Sequence, residues 1–185
     1  KAEMDNYIHP TSRGITTTPP GSEIRTPGQW EENQAVIITW TGFPSIHRQL
    51  VQHIQQECEV WIVTLDSTTV KNNITSNGGS LTNVKFIHSD YNTIWVRDYG
   101  PNSVYLAGVD SLVFIDWTYN RPRPYDNSVP DSVGSQKNIP VYSMSTAPND
   151  LVHTGGNFMS DGLGTGFSSH LVTDENDGTG FSQKA

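Results

Sequence analysis

The sequence predicts an α/β fold with a mixed sheet, and three features of its apolar pattern support this. Residues 35–40 and 58–65 are largely apolar runs of strand length, which is typical of strands buried on both faces. Between them, the apolar residues of 45–57 recur with helical spacing. From residue 84 onward, short apolar runs follow one another with turn residues between them. Alternating strands and helices followed by consecutive strands indicate both parallel and antiparallel pairing.

The individual elements follow from the turn and helix-start signals between these runs. Residues 1–30, which include TTTPPGSE and RTPGQ, show no periodicity and predict an extended, Pro-rich N-terminal arm that wraps the domain or stays mobile. Residues 31–185 are expected to belong to one domain. Predicted strands lie at 35–40, 58–65, 84–88, 93–97, 103–106, 112–115, 151–153 and 167–172, predicted helices at 45–57 and 66–78, a hairpin turn at Gly108, and a loop-rich stretch at 120–150.

Charge and composition exclude several classes of function. A net charge of −8 and a pI near 5.0 argue against a nucleic-acid surface and a polybasic membrane face. The same charge suits either simple solubility or a site that attracts a cation. No apolar run approaches the roughly 18 residues that a membrane span requires. The 11 Lys and Arg residues among abundant Asn, Ser and Thr, and the absence of an initiator Met, lead us to expect a trimmed, secreted or periplasmic chain.

The segment TIWVRDYGP, residues 93–101, has the composition of one wall of a cation pocket. The Asp98 carboxylate matches the paired N–H donors of a guanidinium group, and Trp95 is placed to cover the face of the cation. Asp98 can equally pair with a neighbouring cation at a turn, with no ligand involved. Spacing alone leaves these two interpretations open.

Three motifs in the same order resemble the guanidino-modifying, or pentein, superfamily, and most of all the bacterial peptidylarginine deiminases and their agmatine deiminase relatives. They are WEENQAVIITW with TIWVRDYGP, then DWTYNRPRPYDN, then HTGGNFMSDGLGTGF. Together they extend over residues 30–170. The resemblance implies part of a five-bladed α/β propeller, with this chain as the N-terminal half of the catalytic domain.

The resemblance also implies a reaction. Peptidylarginine deiminases hydrolyse a guanidinium group to a ureido group and ammonia, which converts arginine to citrulline. A cysteine thiolate attacks the guanidinium carbon, and a histidine acts as general acid and then as general base. By this resemblance Asp98 is a catalytic carboxylate that holds the guanidinium nitrogens, Trp95 lines the aliphatic stem of the substrate, and no cofactor is required.

Arg121 and Arg123, in YNRPRP, form a second candidate site. Each precedes a proline, which favours extended backbone and a stiff loop. Two arginines on such a loop can clamp a carboxylate, although a solvated Pro-rich loop explains the same pattern. The resemblance implies that this pair binds the α-carboxylate of a peptide that ends in arginine. Agmatine has no carboxylate and would leave the pair unused.

The third motif contains glycines suited to close backbone approach, Gly155 and Gly156. Thr154 precedes them, where the agmatine and free-arginine branches commonly have Glu, so the resemblance favours a peptidyl substrate. We interpret His153 as structural. The sequence DENDG, with Asp174, resembles part of a calcium loop but lacks the distal Glu, and a polar turn explains it equally well.

The cysteine nucleophile and the histidine general acid that the resemblance implies are not found after the guanidinium motif. Cys58, the only cysteine, precedes the guanidinium motif and enters an apolar strand, so we interpret it as a buried core residue. The family's His-x-Asp pair and cysteine come later in the domain, and neither follows Asp98 here. We therefore expect a second polypeptide from the same precursor, separated by cleavage after Ala185, to complete the domain.

Three functions remain open at this level. The first is deimination of peptides with C-terminal arginine, with a peptide or protein as substrate. The second is deimination of agmatine. The third is a non-catalytic module that binds a guanidinium group or a peptide and has lost the chemistry.

Overall fold

The computed structural model describes residue 18 and residues 20–107, 111–145 and 150–177. Its first layer is a parallel sheet of three strands that pair in chain order, flanked by two helices. Asp66 begins the second of these helices, because its carboxylate accepts a 3.0 Å hydrogen bond from the backbone N–H of Thr69. The elements of this layer are β2 (Ala35–Thr39), α1 (Pro44–Ile54), β3 (Glu59–Thr64), α2 (Ser67–Ser76) and β4 (Val84–His88).

The second layer is a mixed sheet in the order β1-β5-β6-β7, and β8 also pairs with β6. Strand β5 is antiparallel to both β1 and β6, whereas β7 and β8 run parallel to β6. This confirms the predicted hairpin, although its turn at Gly108 lies outside the described residues. The strands are β1 (Ile24–Arg25), β5 (Asn102–Leu106), β6 (Ser111–Tyr119), β7 (Val141–Met144) and β8 (Val152–His153).

Part of the predicted arm belongs to this second sheet. Strand β1 pairs with β5, and the Arg25 guanidinium donates two hydrogen bonds to the Glu31 carboxylate, at 2.7 and 3.0 Å. Arg25 also lies over the Tyr105 ring. Residues 24–25 of the arm therefore form an edge strand of the sheet, while residues 1–17 and 19 lie outside the described part.

Three sequence predictions are wrong. Residues 93–97 are not a strand but lead into α3 (Val96–Tyr99). The loop-rich stretch 120–150 contains α4 (Pro124–Asn127) and α5 (Val129–Lys137). A proline lies in the first turn of each of these two helices, where its missing N–H costs nothing. Of the strand predicted at 167–172, only β10 (Gly166–Phe167) forms, paired with β9 (Met159–Ser160) and followed by α6 (Leu171–Glu175).

Two apolar cores stabilise these layers. One lies between the parallel sheet and α1 and α2, and the other joins the parallel sheet to β6 and α5 through α3. Residues 60–63 of β3 are almost fully buried because both faces of the strand are covered, as the continuous apolar run predicts. The buried residues of the second core are Trp61, Val63, Ile87, Tyr99, Phe114, Tyr119, Val129 and Val133.

The DENDG segment has a structural function at Asn176. This fully buried side chain accepts from the N–H of Val152 and donates to its carbonyl oxygen, both at 2.8 Å, so it fixes α6 against β8. Gly178 lies outside the described residues. Within those residues, His, Cys, Asp and Glu side chains do not gather in a group of three or more that could hold a metal ion. The helices of the same residues are all too short or too polar to cross a membrane.

A short 3₁₀ turn, Gly155–Asn157, packs directly against α3. A Cβ atom at Gly155 would contact the carbonyl oxygen of Arg97, and one at Gly156 would contact the Asp98 carboxylate. The predicted close backbone approach at these glycines is confirmed.

We expect Gly155→Ala to lower the free energy of unfolding by about 1–3 kcal/mol, because the new methyl group overlaps backbone that has little room to move. Urea denaturation checks this. Gly21→Ala is the matched control, since a Cβ atom there has no neighbour within 4 Å. Equal midpoints for the two variants would contradict the packing.

Candidate guanidinium-binding site

The candidate site begins at the carboxyl end of the parallel sheet, where β4 leads through a loop into α3. Trp95 directly precedes α3 and is 57% exposed, so its indole is accessible to a ligand. Asp98 is half-buried in the same helix, and its N–H donates to the Trp95 carbonyl oxygen at 2.9 Å. The predicted pair is thus held on one rigid turn.

The Asp98 carboxylate is oriented by the third motif. The Thr154 hydroxyl donates to Asp98 Oδ1 at 3.0 Å, and Gly156 leaves room for that oxygen. Arg97 donates to the Phe158 carbonyl oxygen at 3.0 Å, a second bond from α3 to the same segment. A guanidinium group is recognised by a carboxylate fixed in this way, because paired N–H···O bonds require a defined orientation.

Tyr119, at the end of β6, connects the first and second predicted sites. Arg123 donates to its hydroxyl oxygen at 3.4 Å. Burial raises the pKa of the Tyr119 hydroxyl, the nearby charge of Asp98 raises it further, and Arg123 lowers it. The Tyr119 hydroxyl therefore stays neutral, accepts a hydrogen bond from Arg123 and is influenced by the charge of Asp98.

Arg121 lies in a different environment. It is half-buried at the start of the Pro-rich loop, and its guanidinium donates to the Asn120 carbonyl oxygen at 3.4 Å. Asn120 in turn donates to both carboxylate oxygens of Glu175, at 2.8 and 3.0 Å. Burial raises the pKa of Glu175, whereas Asn120 and the charge of Arg121 lower it. Arg121 thus interacts electrostatically with the Glu175 carboxylate.

The main residue that sequence reasoning missed is Asp126 of α4. Its carboxylate is fully buried and accepts from the backbone N–H groups of Asn92 and Thr93, at 2.7 and 3.0 Å, and from the Thr93 hydroxyl at 2.7 Å. These bonds hold the loop before Trp95 in a non-strand conformation, which is why the predicted strand at 93–97 does not form. The only signal in the sequence is an acidic residue directly after the Pro-rich loop.

His153 is confined to the core. The ring packs edge-on against Trp117 at 4.9 Å and lies 6.4 Å from Phe158, and burial lowers its pKa. Its Nδ1 atom has no hydrogen-bond partner among the described residues. A buried, neutral ring in these surroundings agrees with a structural role.

Cys58 lies far along the sheet from Asp98. It is half-buried rather than buried, directly before β3, and burial raises the pKa of its thiol. Because β3 and β4 are parallel, the start of β3 lies at the amino end of the sheet and the end of β4 lies at its carboxyl end. Cys58 is therefore placed away from the candidate site.

A His-x-Asp sequence does occur before the guanidinium motif, at His88 and Asp90. His88 ends β4 with an exposed side chain, and its backbone exchanges two 2.9 Å hydrogen bonds with the Gln136 amide. Asp90 is exposed in the following loop. The pair thus precedes Asp98 in the chain, whereas the deiminase pattern places it later.

Known proteins resemble this chain in sequence and fold. The model of the Porphyromonas-type peptidyl-arginine deiminase family matches residues 25–185. A protein of Latilactobacillus sakei subsp. sakei (strain 23K) assigned as an agmatine deiminase is 26% identical over 178 residues, which cover 87% of this chain and 46% of that protein.

Solved structures agree with the fold. A substrate-bound agmatine deiminase of C. jejuni has a TM-score of 0.71 at 17% identity and is matched over 89% of this chain and 51% of its own. A protein of Porphyromonas gingivalis assigned as an arginine deiminase has a TM-score of 0.69 at 17% identity, over 80% of this chain and 47% of its own. This chain spans about half the length of these relatives. By the extent of the family match, the chain belongs to the Porphyromonas-type peptidyl-arginine deiminase family.

Proposed function

We propose that this chain supplies the substrate-binding part of a deiminase that hydrolyses the guanidinium group of arginine to a ureido group and ammonia. The observation that supports this most is the Asp98 carboxylate, which accepts a hydrogen bond from Thr154 and lies one turn from the exposed Trp95. Asp98 would bind two guanidinium nitrogens, and the exposed Trp95 indole would cover the stem of the side chain. A thiolate would then attack the guanidinium carbon and expel ammonia, and water would release the ureido product.

We propose a peptide with C-terminal arginine as the substrate. Arg123 donates to the Tyr119 hydroxyl and Arg121 precedes it on the same loop, so this loop carries two positive charges that would attract the α-carboxylate. Peptide substrates also fit the predicted secreted or periplasmic location. The alternative is agmatine, which the relatives from L. sakei and C. jejuni favour by their names.

The reacting groups would come from a second segment of the same precursor. Two observations support this proposal: the chain spans about half of its relatives, and an open groove of about 510 Å³ lies on the second sheet. The groove is lined mainly by apolar side chains, which soluble proteins rarely leave uncovered over a large area. Among its lining residues, Ile24 is exposed, and Ile115, Tyr142 and Met144 are half-buried.

We expect the native protein to contain a further segment, joined to this chain or bound to it, with a histidine and a cysteine that react. Denaturing electrophoresis with mass spectrometry of the purified native protein checks this. The idea is wrong if the active species is a stable monomer of 20.5 kDa that consists of this chain alone.

We expect Asp98→Asn to reduce citrulline formation by two to four decades in the complete enzyme. Loss of one partner of a buried charge pair costs roughly 3–5 kcal/mol, and each decade corresponds to about 1.4 kcal/mol. The measurement is a colorimetric citrulline assay with an arginine-terminated peptide. Asp90→Asn, an exposed carboxylate from the preceding loop, is the matched control. Similar rates for both variants would exclude Asp98 from the reaction.

We expect Arg121→Ala to raise KM about tenfold or more for a peptide with a free C-terminal carboxylate, because a hydrogen bond to a charged group contributes about 1.5–3 kcal/mol. The C-terminally amidated peptide and agmatine lack this carboxylate and should be much less affected. Arg48→Ala, on α1, controls for the loss of a positive charge. Equal losses on free and amidated peptides would refute the carboxylate role, and a wild-type preference for agmatine would support the alternative substrate.

A further inference from the structure

Two sets of hydrogen bonds connect the loop before α3 to helix α4, and they run in opposite directions. Asp126 of α4 accepts three bonds from Asn92 and Thr93, at 2.7–3.0 Å. In return, the Asn92 side-chain oxygen accepts from the backbone N–H of Tyr125 at 2.9 Å. We call this pair of connections the Asn92–Asp126 bridge.

The two ends of the bridge differ in burial, because Asp126 is buried and Asn92 is exposed. Asp126 is fully buried, and a buried carboxylate with three donors is costly to displace because each bond to a charged group is strong and the Thr93 hydroxyl is the donor to Oδ2. Asn92 is exposed, so its side chain can be changed without opening the core. The two ends therefore allow both a severe and a mild perturbation of the same connection.

The bridge lies between the two parts of the proposed substrate site. Thr93 closely precedes Trp95 and Asp98, and its hydroxyl accepts from the Trp95 N–H at 3.4 Å. On the other side, Arg123 occupies the N-cap position of α4, three residues before Asp126. The bridge thus connects the segment that carries Asp98 to the helix that begins at Arg123.

We propose that Asn92 and Asp126 are positioning residues that fix the separation between Asp98 and Arg123, and that this separation selects the length of the arginine side chain. This inference rests on the proposed function. A ligand held at both ends is sensitive to that separation, since a displacement of about 1 Å can remove much of the benefit of correct orientation. A ligand held only by its guanidinium group is much less sensitive.

The test uses three substrates with the complete enzyme. They are a peptide that ends in arginine, the same peptide ending in homoarginine, which is one methylene longer, and agmatine, which lacks the carboxylate. The readout is the ratio of kcat/KM between the arginine and homoarginine peptides. A purely structural defect would lower both rates together and leave this ratio unchanged.

We expect Asn92→Ala to reduce the arginine-to-homoarginine ratio about three- to tenfold, the factor that corresponds to one neutral hydrogen bond. Agmatine turnover should fall less than turnover of the arginine peptide. Asn92→Asp keeps an oxygen acceptor for the Tyr125 N–H and should restore most of the ratio. Asn72→Ala, an exposed asparagine of α2, is the matched control and should keep the wild-type ratio.

Asp126→Asn is the severe variant, and its folding is checked by thermal denaturation. If it folds, its ratio should fall at least as far as that of Asn92→Ala; if it does not, Asn92→Ala and Asn92→Asp decide. If Asn92→Ala keeps the wild-type ratio of kcat/KM between the arginine and homoarginine peptides, this inference is wrong, but the proposed function is not affected. A wild-type enzyme that treats free and amidated peptides equally would overturn the carboxylate subsite, and this inference with it.

Discussion

The position of Tyr99 is the constraint on which the rest of the site depends. Its ring belongs to the core between the two layers and packs edge-on against Tyr119, 5.8 Å away. Its hydroxyl donates to the Thr93 carbonyl oxygen and lies 2.7 Å from Thr39 Oγ1, so it connects the loop before α3 to β2. Burial raises the pKa of this hydroxyl, which therefore stays a donor at any physiological pH. Because Asp98 directly precedes Tyr99, the carboxylate takes its position from the core.

Much of the first layer could be predicted from the sequence because it depends on local patterns. The bounds of β4 match the predicted strand, and β3 and α2 differ from prediction by one or two residues. The exception at 93–97 is instructive. Ile94, Trp95 and Val96 form an apolar run of strand type, but Asp126 binds the preceding backbone from more than thirty residues away. A long-range hydrogen bond of this kind leaves no periodic signal.

The candidate site shows the same division between local and long-range information. Trp95 and Asp98 lie in one short motif with the chemistry of cation binding, and Arg123 is recognisable beside its prolines. Thr154 is notable in sequence only because it replaces a Glu of related branches, and Tyr119 has no signal at all; the fold alone shows their hydrogen bonds to Asp98 and Arg123. The candidate binding residues could therefore be named from the sequence, whereas these hydrogen bonds could not.

Two opposite charges act on the Tyr119 hydroxyl without pairing with each other. Arg123 donates to this hydroxyl and the charge of Asp98 influences it, yet the ion pairs of the described residues do not include a bond between Asp98 and Arg123. The raised pKa of Tyr119 keeps a neutral group beside both charges. A direct salt bridge would have satisfied both side chains, and a substrate would have to break it. Under the proposed function, the carboxylate of Asp98 and the guanidinium of Arg123 would then each be able to bind the opposite end of a C-terminal arginine.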